Sequence, residues 1–160
     1  MKELPSRKPN RLKGYDYSQR GCYFITICIK DGHELLWDQL TVGARIARPL
    51  LSDVGIIVEK TIENISYIYE WVLVDKYVIM PNHVHLIIII GDGGGRAMRA
   101  PTISTIINQM KGYVSKQIGY SIWQKLFHDH IIRSETDYER IWKYIDENAE
   151  NWQQDCFYQK

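Results

Sequence analysis

Two apolar, β-branched runs, Trp71-Val-Leu-Val-Asp-Lys-Tyr-Val-Ile-Met80 and Leu86-Ile-Ile-Ile-Ile90, flank the stretch Pro81-Asn82-His83-Val84-His85. Runs of this length and composition are strand-sized, and the Pro-Asn pair punctuates the chain as a turn, so the two predict adjacent strands of one sheet. Side chains alternate along a strand, which puts His83 and His85 on one face and Val84 on the other. Their backbones are roughly 7 Å apart, near enough for both imidazoles to converge on one divalent cation. Two unrelated polar residues on a half-exposed strand satisfy the same pattern, and the motif alone does not separate the two readings.

A chain of 160 residues, 45% apolar and 24% charged, suits one domain with a hydrophobic core and excludes wholesale disorder. The net charge of +1 demands no polyanionic partner. Its distribution is uneven, however. Lys2, Arg7, Lys8, Arg11, Lys13 and Arg20 make residues 1–20 a basic arm, suited to phosphates or simply solvated, whereas 134–155 is acidic on balance. Cys22, Cys28 and Cys156 are odd in number and lack CxxC spacing, which argues against disulfides or cysteine-bound zinc and for a reducing cytoplasm. No apolar run is long enough for a membrane span, and the start of the chain does not read as a signal peptide.

Periodicity predicts a strand over 22–30, with Tyr23, Ile25, Ile27 and Ile29 on one face and Phe24, Thr26 and Cys28 on the other. A helix follows over 50–63, striped by Leu51, Val54, Val58 and Ile62. Strands over 67–79 and 83–90, a glycine-rich loop at 91–95, a helix over 101–118 and a strand over 127–133 come next. The last helix opens on a capping-box pattern at Ser134-Glu-Thr-Asp137 and carries the stripe Tyr138, Ile141, Trp142, Ile145, Ala149 and Trp152. This order predicts a single α+β domain, a ferredoxin-like sandwich on a mostly antiparallel sheet with the His83–His85 strand central.

At about 100° per residue, Tyr144 and Asn148 stack along one edge of the last helix's apolar stripe, while Arg140, Lys143 and Glu147 turn to solvent. Such a helix can bring a phenol and a carboxamide to the histidine pair, with Asn148 as an oxygen ligand and Tyr144 as a nucleophile. Mixed histidine and oxygen ligation suits Mg²⁺ or Mn²⁺ acting on phosphate. A tyrosine with a wet hydroxyl and a helix-capping asparagine describe the same residues without chemistry.

Four stretches resemble the HUH single-tyrosine nucleases, in which U is a hydrophobic residue, and among them the REP-associated tyrosine transposases related to insertion-sequence-200-like transposases. They are Lys13-Gly-Tyr-Asp-Tyr-Ser-Gln-Arg-Gly-Cys-Tyr-Phe-Ile-Thr, Tyr77-Val-Ile-Met-Pro-Asn-His-Val-His, Met110-Lys-Gly-Tyr, and Ile122-Trp-Gln-Lys-Leu-Phe-His-Asp-His-Ile-Ile-Arg-Ser running on to Tyr144-Ile-Asp-Glu-Asn148. The resemblance implies metal ligation by His83, His85 and Asn148, Tyr144 as nucleophile, and single-stranded DNA with hairpins from repetitive extragenic palindromes as substrate. It implies cleavage and rejoining through a 5′-phosphotyrosine, work at the nucleoid, and a homodimer as one assembly. Asn148-Ala149 departs from the family's Asn-Pro, and without the proline the helix is expected to continue. The longer tail of some members, and the DNA contacts it makes, has no counterpart after Trp152 and Asp155.

Arg7, Lys8, Arg11, Lys13, Lys111 and Arg133 are the candidate DNA-binding cations, and Tyr15, Tyr17, Tyr113 and Trp123 candidate base-stacking residues. His128-Asp129-His130 is a second HxH beside the last helix. HExxH and the HxE…PCxxC pattern of zinc deaminases are absent. Two other functions fit the residues: a non-catalytic module holding hairpin DNA or RNA, and a phosphodiesterase using water.

Overall fold

The computed structural model describes residues 14–17, 19–38, 49–91 and 101–158. Strands Gly21–Cys28 (β1), Val72–Ile79 (β2), His83–Ile90 (β3) and His128–Ile132 (β4) pair antiparallel throughout, in the order β2-β3-β1-β4. Helix Asp53–Ile68 (α1) joins β1 to β2, helix Ile103–Ile118 (α2) joins β3 to β4, and helix Glu135–Glu147 (α3) follows β4. This is the ferredoxin-like α+β arrangement expected, with β3 in the interior of the sheet.

Each helix begins where its sequence supplies a cap. The hydroxyls of Ser52, Thr102 and Ser134 accept from the backbone N–H groups of Gly55, Thr105 and Asp137. Gly119 ends α2 at φ +86°, a left-handed position that glycine occupies without steric cost. α1 runs past the predicted 63 to Ile68 and takes residues 67–68 from the strand expected at 67–79. The buried pair Ile62 and Ile65 carries the helical stripe onward, and sheet pairing starts only where Val72 meets Ile90.

The two faces of the sheet are unequally covered. Tyr23, Ile25, Ile27 and Ile29 join Val84, Leu86, Ile88 and Ile90 in the main core under α1 and α2. On the other face Ile87 and Ile132 pack against Ile141 and Ile145 of α3. β3 is therefore buried almost from end to end, as its unbroken apolar composition requires. Trp142, expected on the stripe, is instead 39% exposed with the Lys76 ammonium 3.5 Å from its ring centroid.

The segment before α1 steadies the turn that leads into His83. Leu36 N–H donates to Pro81 O at 3.0 Å, Trp37 Nε1 donates to Ile79 O at 2.7 Å, and Leu36 O accepts from Ser52 N–H at 3.0 Å. Gly55 makes this approach possible: a Cβ there would lie 2.1 Å from Leu36 O. Among the described residues, no helix is long and apolar enough to cross a membrane. Gly55→Ala should push the 35–37 segment off the helix and cost about 1–3 kcal/mol of stability, as overpacking does. Urea unfolding checks this, with a lower midpoint at unchanged slope expected.

Candidate metal and tyrosine site

β-sheet register sets the site. Val78, His85, Thr26 and His128 form one row across the four strands, and Phe24, opposite both Ile87 and His130, belongs to the next row on the same face. His83 and His85 project from β3 toward one another, with their Nε2 atoms 3.0 Å apart. Both are buried.

The far side of each ring is held by a specific partner. Asn82 Nδ2 donates to Phe157 O at 2.9 Å and Gly32 O at 3.3 Å, which leaves Oδ1 as the acceptor for His83 Nδ1 at 2.8 Å. The His83 proton therefore sits on Nδ1, and the Nε2 lone pair faces His85. Thr26 Oγ1 lies 2.8 Å from His85 Nδ1 and turns that ring's Nε2 the same way. Burial lowers both imidazoles from 6.5 to about 3, and for His85 the neighbouring His83 adds to the effect while Asp155 opposes it. Both are neutral at pH 7, the state in which an imidazole binds a metal.

Asp155 completes the group, and the sequence reading had not placed it there. Its side chain is 2% exposed, and Oδ2 is 4.0 Å from His83 Nε2. That oxygen accepts from Asn148 Nδ2 at 3.1 Å and from the Tyr144 hydroxyl at 3.3 Å, while Oδ1 accepts from Phe157 N–H at 2.7 Å. These are neutral donors, which bring no positive charge to a buried carboxylate. One ligand atom each from His83, His85 and Asp155 lies within 4.8 Å of the others.

Asn148 is buried beside them, its Oδ1 without a hydrogen-bond partner. Contrary to the expectation that alanine at 149 lets the helix continue, α3 stops at Glu147. Ala149 and Trp152 bury against Trp37 and Met80, and a 3₁₀ turn at Trp152–Gln154 follows. That reversal carries Asp155 back to the histidines. No periodicity links Asp155 to the helix, so the only trace of it in the sequence was an acidic residue just past an apolar stripe.

The donor set fits a divalent cation. Two ligand atoms about 2.1 Å from one ion and at right angles lie about 3 Å apart, the separation of the two Nε2 atoms. Two neutral nitrogens, a buried carboxylate and a buried, unpaired carbonyl oxygen are a mixed N and O set. Tyr144 stands at its rim, 39% exposed, with its hydroxyl 3.2 Å from His85 Nε2. Burial first, then the Asp155 charge, pushes its pKa up to about 12. A cleft of about 360 Å³ opens in front of it, lined among others by Phe24, His85, His130, Arg140 and Tyr144.

The remaining candidates scatter. Lys111 is buried, and its ammonium donates to Gln124 O at 3.0 Å and Leu126 O at 3.2 Å, so it ties down that segment instead of facing open phosphate space. Trp123 is buried and so presents no stacking face, and Tyr15 and Tyr17, half-buried, pack on the main core with Tyr23. Tyr113 is exposed on α2, and Arg133 is exposed between β4 and α3. Arg7, Lys8, Arg11 and Lys13, and most of the 91–95 loop, lie outside the described residues.

No family model matches the chain. An uncharacterized protein of Haemophilus influenzae is 36% identical over 172 residues, an alignment covering 95% of this chain and 93% of that one. Among solved structures, a REP-associated tyrosine transposase bound to a REP hairpin superposes with a TM-score of 0.60 at 20% identity, over 86% of this chain and 72% of the other. The chain thus belongs to one family with the Haemophilus influenzae protein, and its fold is that of the REP-associated tyrosine transposase.

Proposed function

We propose that this protein is a divalent-cation-dependent endonuclease and strand transferase of the transposase type, acting on single-stranded DNA at palindromic hairpins through a covalent bond to Tyr144. The observation that carries this reading is the Tyr144 hydroxyl at the rim of the His83, His85 and Asp155 cluster, 3.2 Å from His85 Nε2 and 3.3 Å from Asp155 Oδ2. The REP hairpin is the neighbour's ligand, and it makes palindromic hairpin DNA the first substrate to try here.

His83, His85, Asp155 and the Asn148 carbonyl would hold Mg²⁺ or Mn²⁺. When bound, the cation supplies positive charge to the phosphodiester and favours ionisation of the phenol. Asp155 Oδ2, which accepts from the Tyr144 hydroxyl, is the local acceptor for its proton. The phenolic oxygen forms a bond to phosphorus, the bond from phosphorus to the 3′ oxygen breaks, and that oxygen leaves as a 3′-hydroxyl after taking a proton. The product is a 5′-phosphotyrosine. Reversal by a 3′-hydroxyl rejoins the strand, because the phosphotyrosine keeps the energy of the broken diester. Asn82 holds His83 in the tautomer with the proton on Nδ1, and Thr26 orients the His85 ring.

A 3′-labelled hairpin oligonucleotide incubated with Mn²⁺ should yield a covalent adduct on a denaturing gel. Tyr144→Phe should abolish it, and adduct persisting in that variant would assign the nucleophile elsewhere. Mn²⁺ should also raise the melting temperature of the wild type. His83→Ala should lose this shift, and Asp155→Asn should lose most of it. A water-using phosphodiesterase would cleave without adduct, and a binding module would retain the hairpin without cleaving it. The pH dependence follows from the buried rings: the unfolded chain protonates them near 6.5 and the folded chain near 3. Metal-free stability is therefore highest above 6.5 and falls as pH drops from 6.5 toward 3. Urea midpoints between pH 7 and 5 should show this slope, flattened in a His83→Gln/His85→Gln double variant.

A further inference from the structure

Beside Tyr144 the cleft carries a second cluster, with no part in the chemistry above. The register of β4 places His130 directly across from Phe24 on the site face. From the first turn of α3, Asp137 reaches back to it, with Oδ2 2.6 Å from His130 Nε2. Its other oxygen accepts from Arg140 Nη2 at 2.7 Å. These two contacts hold the Asp137 carboxyl below the usual carboxylate range, the His130 bond contributing most. The capping box foreseen at Ser134–Asp137 is thus only half made: Ser134 caps Asp137 N–H, and the Asp137 carboxylate turns to His130 and Arg140.

We propose that His130 and Arg140, oriented by Asp137, form a phosphate subsite that grips the sugar–phosphate backbone of single-stranded DNA next to the reacting diester. The inference rests on the reading of the cleft as the DNA site. Both basic side chains line the same cleft as His85 and Tyr144. They are also open to it, at 52% exposed for His130 and 70% for Arg140. A guanidinium has five N–H donors in a fixed fork, and the Asp137 contact engages one nitrogen of it, so the rest of the fork is aimed by that contact. As a fastening between β4 and α3 the trio adds little, since exposed ion pairs contribute little stability and Ile132, Ile141 and Ile145 already join these elements. Lys143, one position before Tyr144, instead pairs with Glu147 on its own helix. The subsite thus lies on the β4 side of the tyrosine, where His128 and His130 stay exposed.

Fluorescence anisotropy with a mixed-sequence single-stranded oligonucleotide, in EDTA and on a Tyr144→Phe background, reads binding without cleavage. Arg140→Ala should reduce the slope of log affinity against log salt by about 0.7, the share of one phosphate on a single strand. Asp137→Asn should weaken binding several-fold even though it removes a negative charge, because the guanidinium loses its orientation. Lys143→Ala should leave the slope unaltered, and thermal melts verify that each variant is folded. An unchanged slope in Arg140→Ala, or tighter binding by Asp137→Asn, overturns the subsite. Adduct formation by the wild type is scored separately. A missing adduct with a reduced Arg140→Ala slope defeats the catalytic reading alone, and an adduct with an unchanged slope defeats the subsite alone.

Discussion

Two imidazoles buried nose to nose without a charge between them set the terms for the rest of the molecule. Desolvation keeps His83 and His85 neutral with their Nε2 atoms 3.0 Å apart, so no charge on either ring fixes the pair. Something else has to hold them in place. On the outer side this is the Asn82 amide, which spends both of its N–H groups on backbone carbonyls and so has only its oxygen left for His83. Thr26 does the corresponding work for His85 from the adjacent strand. The result is a pair of imidazoles whose orientation is set by the fold itself.

The sheet makes this affordable. β3 is covered by α1 and α2 on one side and by α3 on the other, and its apolar residues tie the His83–His85 end to the main core. α3 crosses toward β2, where Tyr138 bonds Asp75 and Lys76 bonds Asp146, and leaves His128 and His130 of β4 exposed beyond the contact at Ile132. One face of one sheet thereby has a dry half, where His83 and His85 are buried, and a wet half, where His128 and His130 are exposed.

Much of this was legible in the sequence because it is periodic. The strand alternation of Tyr23 to Ile29, the turn at Pro81-Asn82 and the cap at Ser134 each obey a local rule, and the ferredoxin-like order follows from them. Tyr144 and Asn148 could be paired because they sit one helical turn apart. Asp155 escaped because it is positioned by tertiary burial of Ala149 and Trp152, which no local pattern encodes. The surroundings of Lys111 were hidden for a related reason. From sequence a lysine on a helix looks solvated, whereas here the carbonyls of Gln124 and Leu126 draw it inward. Trp142 erred in the opposite direction, kept at the surface by Lys76.

The chain reversal after α3 has a thermodynamic consequence. Asp155 and Phe157 reach the histidines only when residues 149–157 are folded back, so the complete site and the docked turn are one state. The turn is short, held by two tryptophans and a handful of hydrogen bonds, and belongs to a satellite cluster separate from the main core. Such a segment opens at a lower free energy than the sheet beneath it. The assembled cluster is then not a fixed property of the folded protein but a population, and any ligand that bridges Asp155 to the histidines raises that population by mass action.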